Sequence, residues 1–178
     1  MRDLAVGSAA ADIIADLLKE SGYEVQPFGV ENVLGPLGPK IRNDTLKSSA
    51  LGHRFRSMPD LIVVSDNELV LAEVKFRKGE MKGYKVFIRF KNWEVQRYHH
   101  FWPETTIILI TPHGWRFYAI PIEDLVTTLD EGDETYFELS SFTPLHQTFK
   151  SVTPDLMQAY IGRVNRLRGT GRRRQRRR

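Results

Sequence analysis

Between residues 8 and 21, Ile13, Ile14, Leu17 and Leu18 recur at helical spacing, with Asp12, Asp16, Lys19 and Glu20 on the other side. This pattern predicts an amphipathic helix over Ser8–Ser21, terminated by Gly22 and followed by a short strand over Tyr23–Phe28. From Gly29 to Ser57 the periodicity breaks down. Gly35-Pro36-Leu37-Gly38-Pro39 and the polar residues after it predict a long irregular loop. Two runs rich in β-branched and aliphatic residues come next, Leu61–Ser65 and Glu68–Phe76, separated by Asp66-Asn67. A two-residue spacer of that kind predicts a β-hairpin.

Strict alternation over Tyr84–Lys91 predicts a strand with Tyr84, Val86, Ile88 and Phe90 on one face and Lys85, Phe87, Arg89 and Lys91 on the other. A helix is expected over Asn92–Phe101, a buried strand over Thr105–Thr111, a second over Trp115–Ile120, and a helical segment from Pro121 to Leu129. Residues 130–150 show no readable period. A last helix starts at Thr153 as N-cap with Pro154 in its first position, both favoured there. Its apolar stripe is Leu156, Met157, Tyr160, Ile161, Val164 and Leu167. Helices and strands interleave, which predicts one α/β domain with a central mixed β-sheet flanked by helices.

At 178 residues, the chain suits one well-buried core rather than two domains. It has no cysteine, which excludes disulfides, thiolate zinc sites and cysteine-ligated iron–sulfur clusters. No apolar run approaches a membrane span, and the first residues lack the apolar stretch of a secretory signal, so a cytoplasmic protein is expected, nucleoid-associated if prokaryotic. No phosphate-cradling Gly loop ending in Gly-Lys-Ser/Thr, nucleophile elbow or His-Glu-x-x-His is present, which argues against an ATP-driven activity.

The net charge of +4 conceals an asymmetry. Residues 163–178 contain nine arginines and no acid, leaving 17 basic residues against all 22 acids over 1–162, a net of −5. The chain therefore reads as an acidic domain over 1–162 followed by a basic tail over 163–178. Arg172, Arg173, Arg174, Arg176, Arg177 and Arg178 are the tail's candidates for capturing a polyanion, DNA or RNA.

The hairpin carries the chemistry. If Asp66-Asn67 closes a two-residue turn, Ser65 opposes Glu68, and Asp60 faces Glu73 across the strands. Such pairs have Cβ atoms about 4.5–5.5 Å apart, close enough for two carboxylates to hold one cation. Lys75 lies two residues beyond Glu73 and so points to the same face. Along that face Ile62, Val64, Leu69 and Leu71 give way to Asp60, Glu73 and Lys75 at one end. Like charges directly opposite each other are destabilising; a metal ion and a lysine offset that repulsion. Carboxylates of this kind suit Mg²⁺ or Mn²⁺, and the lysine supplies positive charge where a phosphoryl transition state gathers negative charge. Pro154-Asp155 repeats the Pro-Asp dipeptide, but at a helix start, where it means only that.

Met58-Pro59-Asp60 followed by Ala72-Glu73-Val74-Lys75 resembles the signature of the PD-(D/E)xK nucleases, a family that includes restriction enzymes, Holliday junction resolvases and repair exonucleases. The resemblance runs from the first helix to the strand at Trp115, about two-thirds of the chain. It takes in Gly22-Tyr23-Glu24-Val25 and a glutamine, Gln96, on the helix after the lysine strand. The order of elements, with Gly114-Trp115-Arg116-Phe117 late in the core, is most similar to the archaeal Holliday junction resolvases. The resemblance implies a restriction-endonuclease-like core and Mg²⁺- or Mn²⁺-dependent endonuclease activity on DNA, with roles in restriction, repair, recombination or transposon-end cutting left open. It also implies catalytic Asp60, Glu73, Lys75 and Gln96, and metal ligation by Asp60, Glu73 and the Val74 carbonyl. The family's early-helix glutamate has no counterpart here; Asp12 is the preferred candidate ligand and Asp16, one turn later, the alternative.

Arg54 and Arg56 just before the motif, Arg77 just after it, and Lys85, Arg89 and Lys91 on one strand face are candidate contacts to a nucleic-acid backbone; a solvated face is the alternative for the last three. Cutting both strands with one site per chain needs two copies, so a homodimer is expected. The last helix either contributes to that interface or packs on its own core. The other functional class compatible with the sequence is a non-catalytic nucleic-acid-binding module.

Overall fold

The structure, a computed structural model, describes residues 2–35, 49–65 and 67–169. Helix α1 (Arg2–Glu20) leads through Gly22, at φ +89°, into β1 (Glu24–Pro27). Two short helices follow, α2 (Val30–Leu34) and α3 (Ala50–Arg56), in the stretch whose sequence predicts only a loop. Residues 36–48, with most of the Gly-Pro cluster, lie outside the described set. Local hydrogen bonding builds α3 without an apolar period: Ser49 Oγ accepts from the Gly52 N–H at 3.0 Å and caps it.

The hairpin is β2 (Leu61–Val64) and β3 (Leu69–Phe76), paired from Val64↔Leu69 to Leu61↔Ala72, the register a two-residue turn requires. Asp66 is outside the described residues, but the Ser65 N–H donates to the Glu68 carbonyl at 2.9 Å and closes the loop. Next come β4 (Glu80–Lys82), unforeseen in the sequence, β5 (Lys85–Lys91) and α4 (Asn92–Phe101). Tyr84 does not join the apolar face predicted for it. It follows Gly83 (φ +63°) in the β4–β5 turn and is 91% exposed.

Strands β6 (Thr105–Ile110) and β7 (Phe117–Pro121) precede α5 (Ile122–Val126). The unreadable stretch resolves into β8 (Glu134–Glu138), a 3₁₀ turn at Leu139–Ser141, β9 (Thr143–Pro144) and α6 (Leu145–Thr148). β9 and α6 span about one period of their patterns and β8 little more than two, too few repeats for the sequence to reveal them. Helix α7 (Pro154–Gly169) is N-capped as expected, with the Leu156 N–H on Thr153 Oγ1 at 3.2 Å.

Six strands form one mixed sheet in the order β1-β2-β3-β6-β7-β9, and β4-β5-β8 form a second, antiparallel one. Among the described strands of the large sheet, only β3 and β6 run parallel. A parallel pair needs a crossover connection, and here β4, β5 and α4 supply it.

One face of the large sheet is sealed. Ile13, Ile14, Leu17 and Leu18 of α1 and Met157, Tyr160 and Val164 of α7 pack on Leu61, Val63, Ala72, Val74, Ile108 and Ile110. Of the apolar stripe of α7, Met157, Tyr160 and Val164 are buried against α1 and its own core, the packing that the sequence left as the alternative to an interface. On the other face, Ile107, Leu109, Tyr118 and Ile120 pack against Val95 and Tyr98 of α4, Ile122 and Leu125 of α5, and Ile88, Phe90 and Phe137 of the small sheet. That cover stops at β3: Ile62 and Val64 are half-buried and Leu69 is 66% exposed. The boundary between covered and open sheet thus runs along the strand that carries Glu73 and Lys75. Among the described residues no helix is long and apolar enough to cross a membrane.

Candidate active site

Asp60 sits where the chain leaves α3 through Ser57-Met58-Pro59 and enters β2. Its carbonyl accepts from the Phe28 and Gly29 N–H groups at 2.8 and 3.3 Å, which fixes its backbone against the end of β1. The Cα pairing of the hairpin ends at Leu61↔Ala72. Asp60 therefore stands next in register to Glu73, and its Oδ2 accepts from the Val74 N–H at 2.9 Å. Burial, and then the charge of Glu73, push the Asp60 carboxyl up from 3.8 to about 7 against the opposing pull of the Val74 N–H and Lys75.

Glu73 is 4% exposed. Its Oε1 takes the Lys75 ammonium at 2.6 Å, while its buried Oε2 has no hydrogen-bond partner among the described residues. The ammonium is held on its other side by Glu94 Oε1 at 2.7 Å, and Tyr98 offers its ring face 5.2 Å away. Burial alone would lower the Lys75 pKa, but Glu73 and Glu94 more than offset it, so the net direction is up. Glu94 Oε2 reaches Arg77 Nη2 at 3.3 Å. Burial opposes ionisation of Glu94, yet Lys75, Arg77 and Arg97 hold its carboxyl below the ordinary range. Burial and the adjoining Glu73 carboxylate raise Tyr98 well above its usual value.

Of the residues singled out in the sequence, Asp60, Glu73, Val74 and Lys75 come together. Gln96 does not. It is exposed, two residues from both Glu94 and Tyr98, so a 100° helical step sets it about 200° from each, on the opposite side of α4. Glu94 and Tyr98 take the place expected of it. Their i, i+4 spacing on the helix after the lysine strand was the available signal, overlooked in favour of the glutamine.

Asp12 is exposed as well, and so is Asp16, whose Oδ2 pairs with Arg163 Nη1 at 2.7 Å. Both lie opposite the α1 stripe that packs on the sheet, and among the described residues no group of three or more acids or histidines could hold a metal. Among the described residues no hydrogen bond or ion pair joins either one to Asp60 or Glu73.

The basic candidates also sort. Arg77 lies beside the site, bound to Glu94 and 5.8 Å from the Phe90 ring centroid. Arg54 covers Trp102 at 5.2 Å while its carbonyl accepts from Trp102 Nε1 at 3.3 Å; Arg56 ends the same helix. Lys85 pairs with Glu138 at 2.7 Å and Arg89 with Glu134 at 3.3 Å across β5–β8, and exposed Lys91 faces Glu134 in the register. That strand face alternates in charge and is not the basic groove expected. Its acids come from β8, in the stretch the sequence left unread. Arg172, Arg173, Arg174, Arg176, Arg177 and Arg178 lie outside the described residues.

The donor set fits a hard divalent cation. Two carboxylates on adjacent strands meet at the edge of the open sheet. Among the described residues one has a buried oxygen without a partner, and the other is driven towards its protonated form by burial and then by its neighbour's charge. Oxygen donors of this kind suit Mg²⁺ or Mn²⁺.

No protein-family model matches the chain, and no curated protein sequence does. Solved structures match. The Holliday junction resolvase of the archaeal hyperthermophile Archaeoglobus fulgidus has a TM-score of 0.51 at 13% identity, over 80% of this chain and 99% of that one. A bacterial homing endonuclease matches with a TM-score of 0.40 at 15% identity, over 74% of this chain and 71% of its own. A fusselovirus nuclease matches with a TM-score of 0.43 at 7% identity, over 89% and 94%. The likeness to the resolvase gives the fold: a restriction-endonuclease-like core, with its mixed central sheet flanked by helices.

Proposed function

We propose that the chain is a metal-dependent nuclease that hydrolyses DNA phosphodiester bonds at the Asp60–Glu73–Lys75 cluster. The observation that carries this reading is the juxtaposition of two incompletely neutralised carboxylates with a buried ammonium at the edge of an open sheet. A fold does not imply a function; this site does the arguing.

Asp60, Glu73 and the Val74 carbonyl would hold the cation. When bound, a divalent cation supplies charge that polarises a phosphodiester and lowers the pKa of an attacking water. Lys75 brings a fixed positive charge to the place where the transition state gathers negative charge, and Tyr98 and β3 hold it there. The carboxylates orient the reacting group, and the open half of the sheet leaves room for a nucleic-acid backbone. Residues 1–162 form the nuclease domain in this reading, and the arginines of 163–178 capture polyanions.

A second reading, a non-catalytic nucleic-acid-binding module, draws on the Lys75 ammonium, which already pairs with both Glu73 and Glu94, at 2.6 and 2.7 Å, without a cation. Cleavage of a panel of single-stranded, duplex, flap and four-way-junction DNA, with RNA controls, in Mg²⁺, Mn²⁺ or chelator, separates the two. Cation-dependent cutting of at least one DNA is expected, and the preferred substrate assigns the role in repair or recombination. Binding without cutting in either cation would establish the second reading.

A further inference from the structure

Glu94 lies in the first turn of α4 and divides its carboxylate between Lys75 of β3 and Arg77 just beyond that strand: Oε1 on Lys75 at 2.7 Å and Oε2 on Arg77 at 3.3 Å. Its helix is anchored at its start. Asn92, at the helix start, donates from Nδ2 to the carbonyls of Asp130 and Gly132, both at 2.9 Å, and accepts from Thr135 Oγ1 at 2.8 Å. Lys75 is thus gripped from two sides, by Glu73 on its own strand at 2.6 Å and by Glu94 from the facing helix.

That arrangement bears on how Glu73 becomes available. A cation at the unpartnered Glu73 Oε2 draws the carboxylate's charge away from Lys75, and one that takes Oε1 as well removes that partner altogether. With Glu73 as its only partner, the ammonium would then be left buried and unpaired, and the cation would have to overcome that penalty. With Glu94 present, Lys75 keeps an acceptor and its position.

We infer that Glu94 is a positioning residue that holds Lys75 when Glu73 turns to a cation, so that cation and lysine act together instead of competing for one carboxylate. This rests on the metal site proposed above, and it assigns a role to a residue two positions from the glutamine singled out in the sequence.

The test is a double-mutant cycle read by calorimetric Mn²⁺ binding, with thermal unfolding as the check on folding. Glu94→Ala weakens Mn²⁺ binding by about tenfold in the wild-type chain and by no more than about threefold in a Lys75→Ala background, the remainder being the loss of one nearby negative charge. Glu94→Gln, which keeps an acceptor for Lys75, falls between Glu94→Ala and wild type and provides the comparison if Glu94→Ala unfolds. Equal weakening in both backgrounds would make Glu94 a direct ligand and overturn the inference; so would unchanged affinity with Lys75 intact. Affinity lost in Asp60→Asn but untouched in Glu94→Ala and Glu94→Gln removes the inference alone. A wild-type chain that binds no Mn²⁺ removes the metal site and the inference with it.

Discussion

The Val74 N–H donates to Asp60 Oδ2 at 2.9 Å, fastening the Asp60 carboxylate to the backbone between Glu73 and Lys75. Side chains from two strands are in this way held as one unit by a contact beyond the last paired residues of the ladder. An asparagine keeps an oxygen for that N–H but loses the charge. Asp60→Asn and Glu73→Gln are each expected to reduce single-turnover cleavage by at least about 100-fold while folding is kept. Gln96→Ala, on the far side of α4, is the control and stays within about twofold, as surface substitutions do. Undiminished cutting by either carboxylate variant in a gel assay would remove the site.

The raised Asp60 pKa makes the metal-free fold pH-sensitive. Between 3.8 and about 7 the folded protein keeps a proton on Asp60 that the unfolded chain has released. The folded state then binds more protons, so stability falls as pH rises through that window, by no more than about 1.4 kcal/mol per unit, and levels off above it. Glu94 acts with the opposite sign and lower down: its depressed pKa contributes stability above 4.5 that is lost as pH falls through the folded value. Urea unfolding in chelator between pH 5 and 8 should show the decline in wild type and a flatter profile in Asp60→Asn. Parallel profiles would show that Asp60 does not titrate there.

Asn92 joins α4 to the β8 segment through three side-chain hydrogen bonds, besides its N–H on the Asp133 carbonyl, and is 4% exposed. Asn92→Ala strands two carbonyls and the Thr135 hydroxyl, and is expected to cost about 2–3 kcal/mol. Because the same helix carries Glu94, cleavage should fall even where the variant remains folded. A change in unfolding free energy below about 0.5 kcal/mol would show that water replaces these bonds.

Removing the residues after Gly169 takes away six of the nine arginines in 163–178. Arg163 pairs with Asp16 and stays with the folded domain. Each phosphate neutralised contributes about −0.9 to the slope of log K against log salt on duplex DNA, so the truncation should flatten that slope by roughly 3–4 if about four arginines engage. Cleavage at saturating enzyme should persist. An unchanged slope would relieve the tail of the capture role, and lost single-turnover cleavage would give it a part in the active complex.

Much of this protein is local, and the local part was legible. The Asp66-Asn67 spacer and a period of two predicted the pairing from Val64↔Leu69 to Leu61↔Ala72, because strand register follows from loop length once one face must be buried. The bounds of α4 and the Thr153 cap were legible for the same reason: each depends on residues within one turn. The helical period of α1 had also set Asp12 opposite Ile13, Ile14, Leu17 and Leu18; only the family resemblance argued for it as a ligand.

Contacts between distant segments were decided by the tertiary structure. Glu94 meets Lys75, and Gln96 does not, because the β3–β6 crossover brings one side of α4 onto Glu73 and Lys75; the amphipathic pattern of that helix does not say which polar residue flanks the buried stripe. The acids that pair with Lys85 and Arg89 come from β8, some fifty positions away in a stretch with no readable period. Periodicity reports which face of an element is buried. Which partner lies against that face depends on how the chain closes loops between remote elements, and no local pattern carries that information.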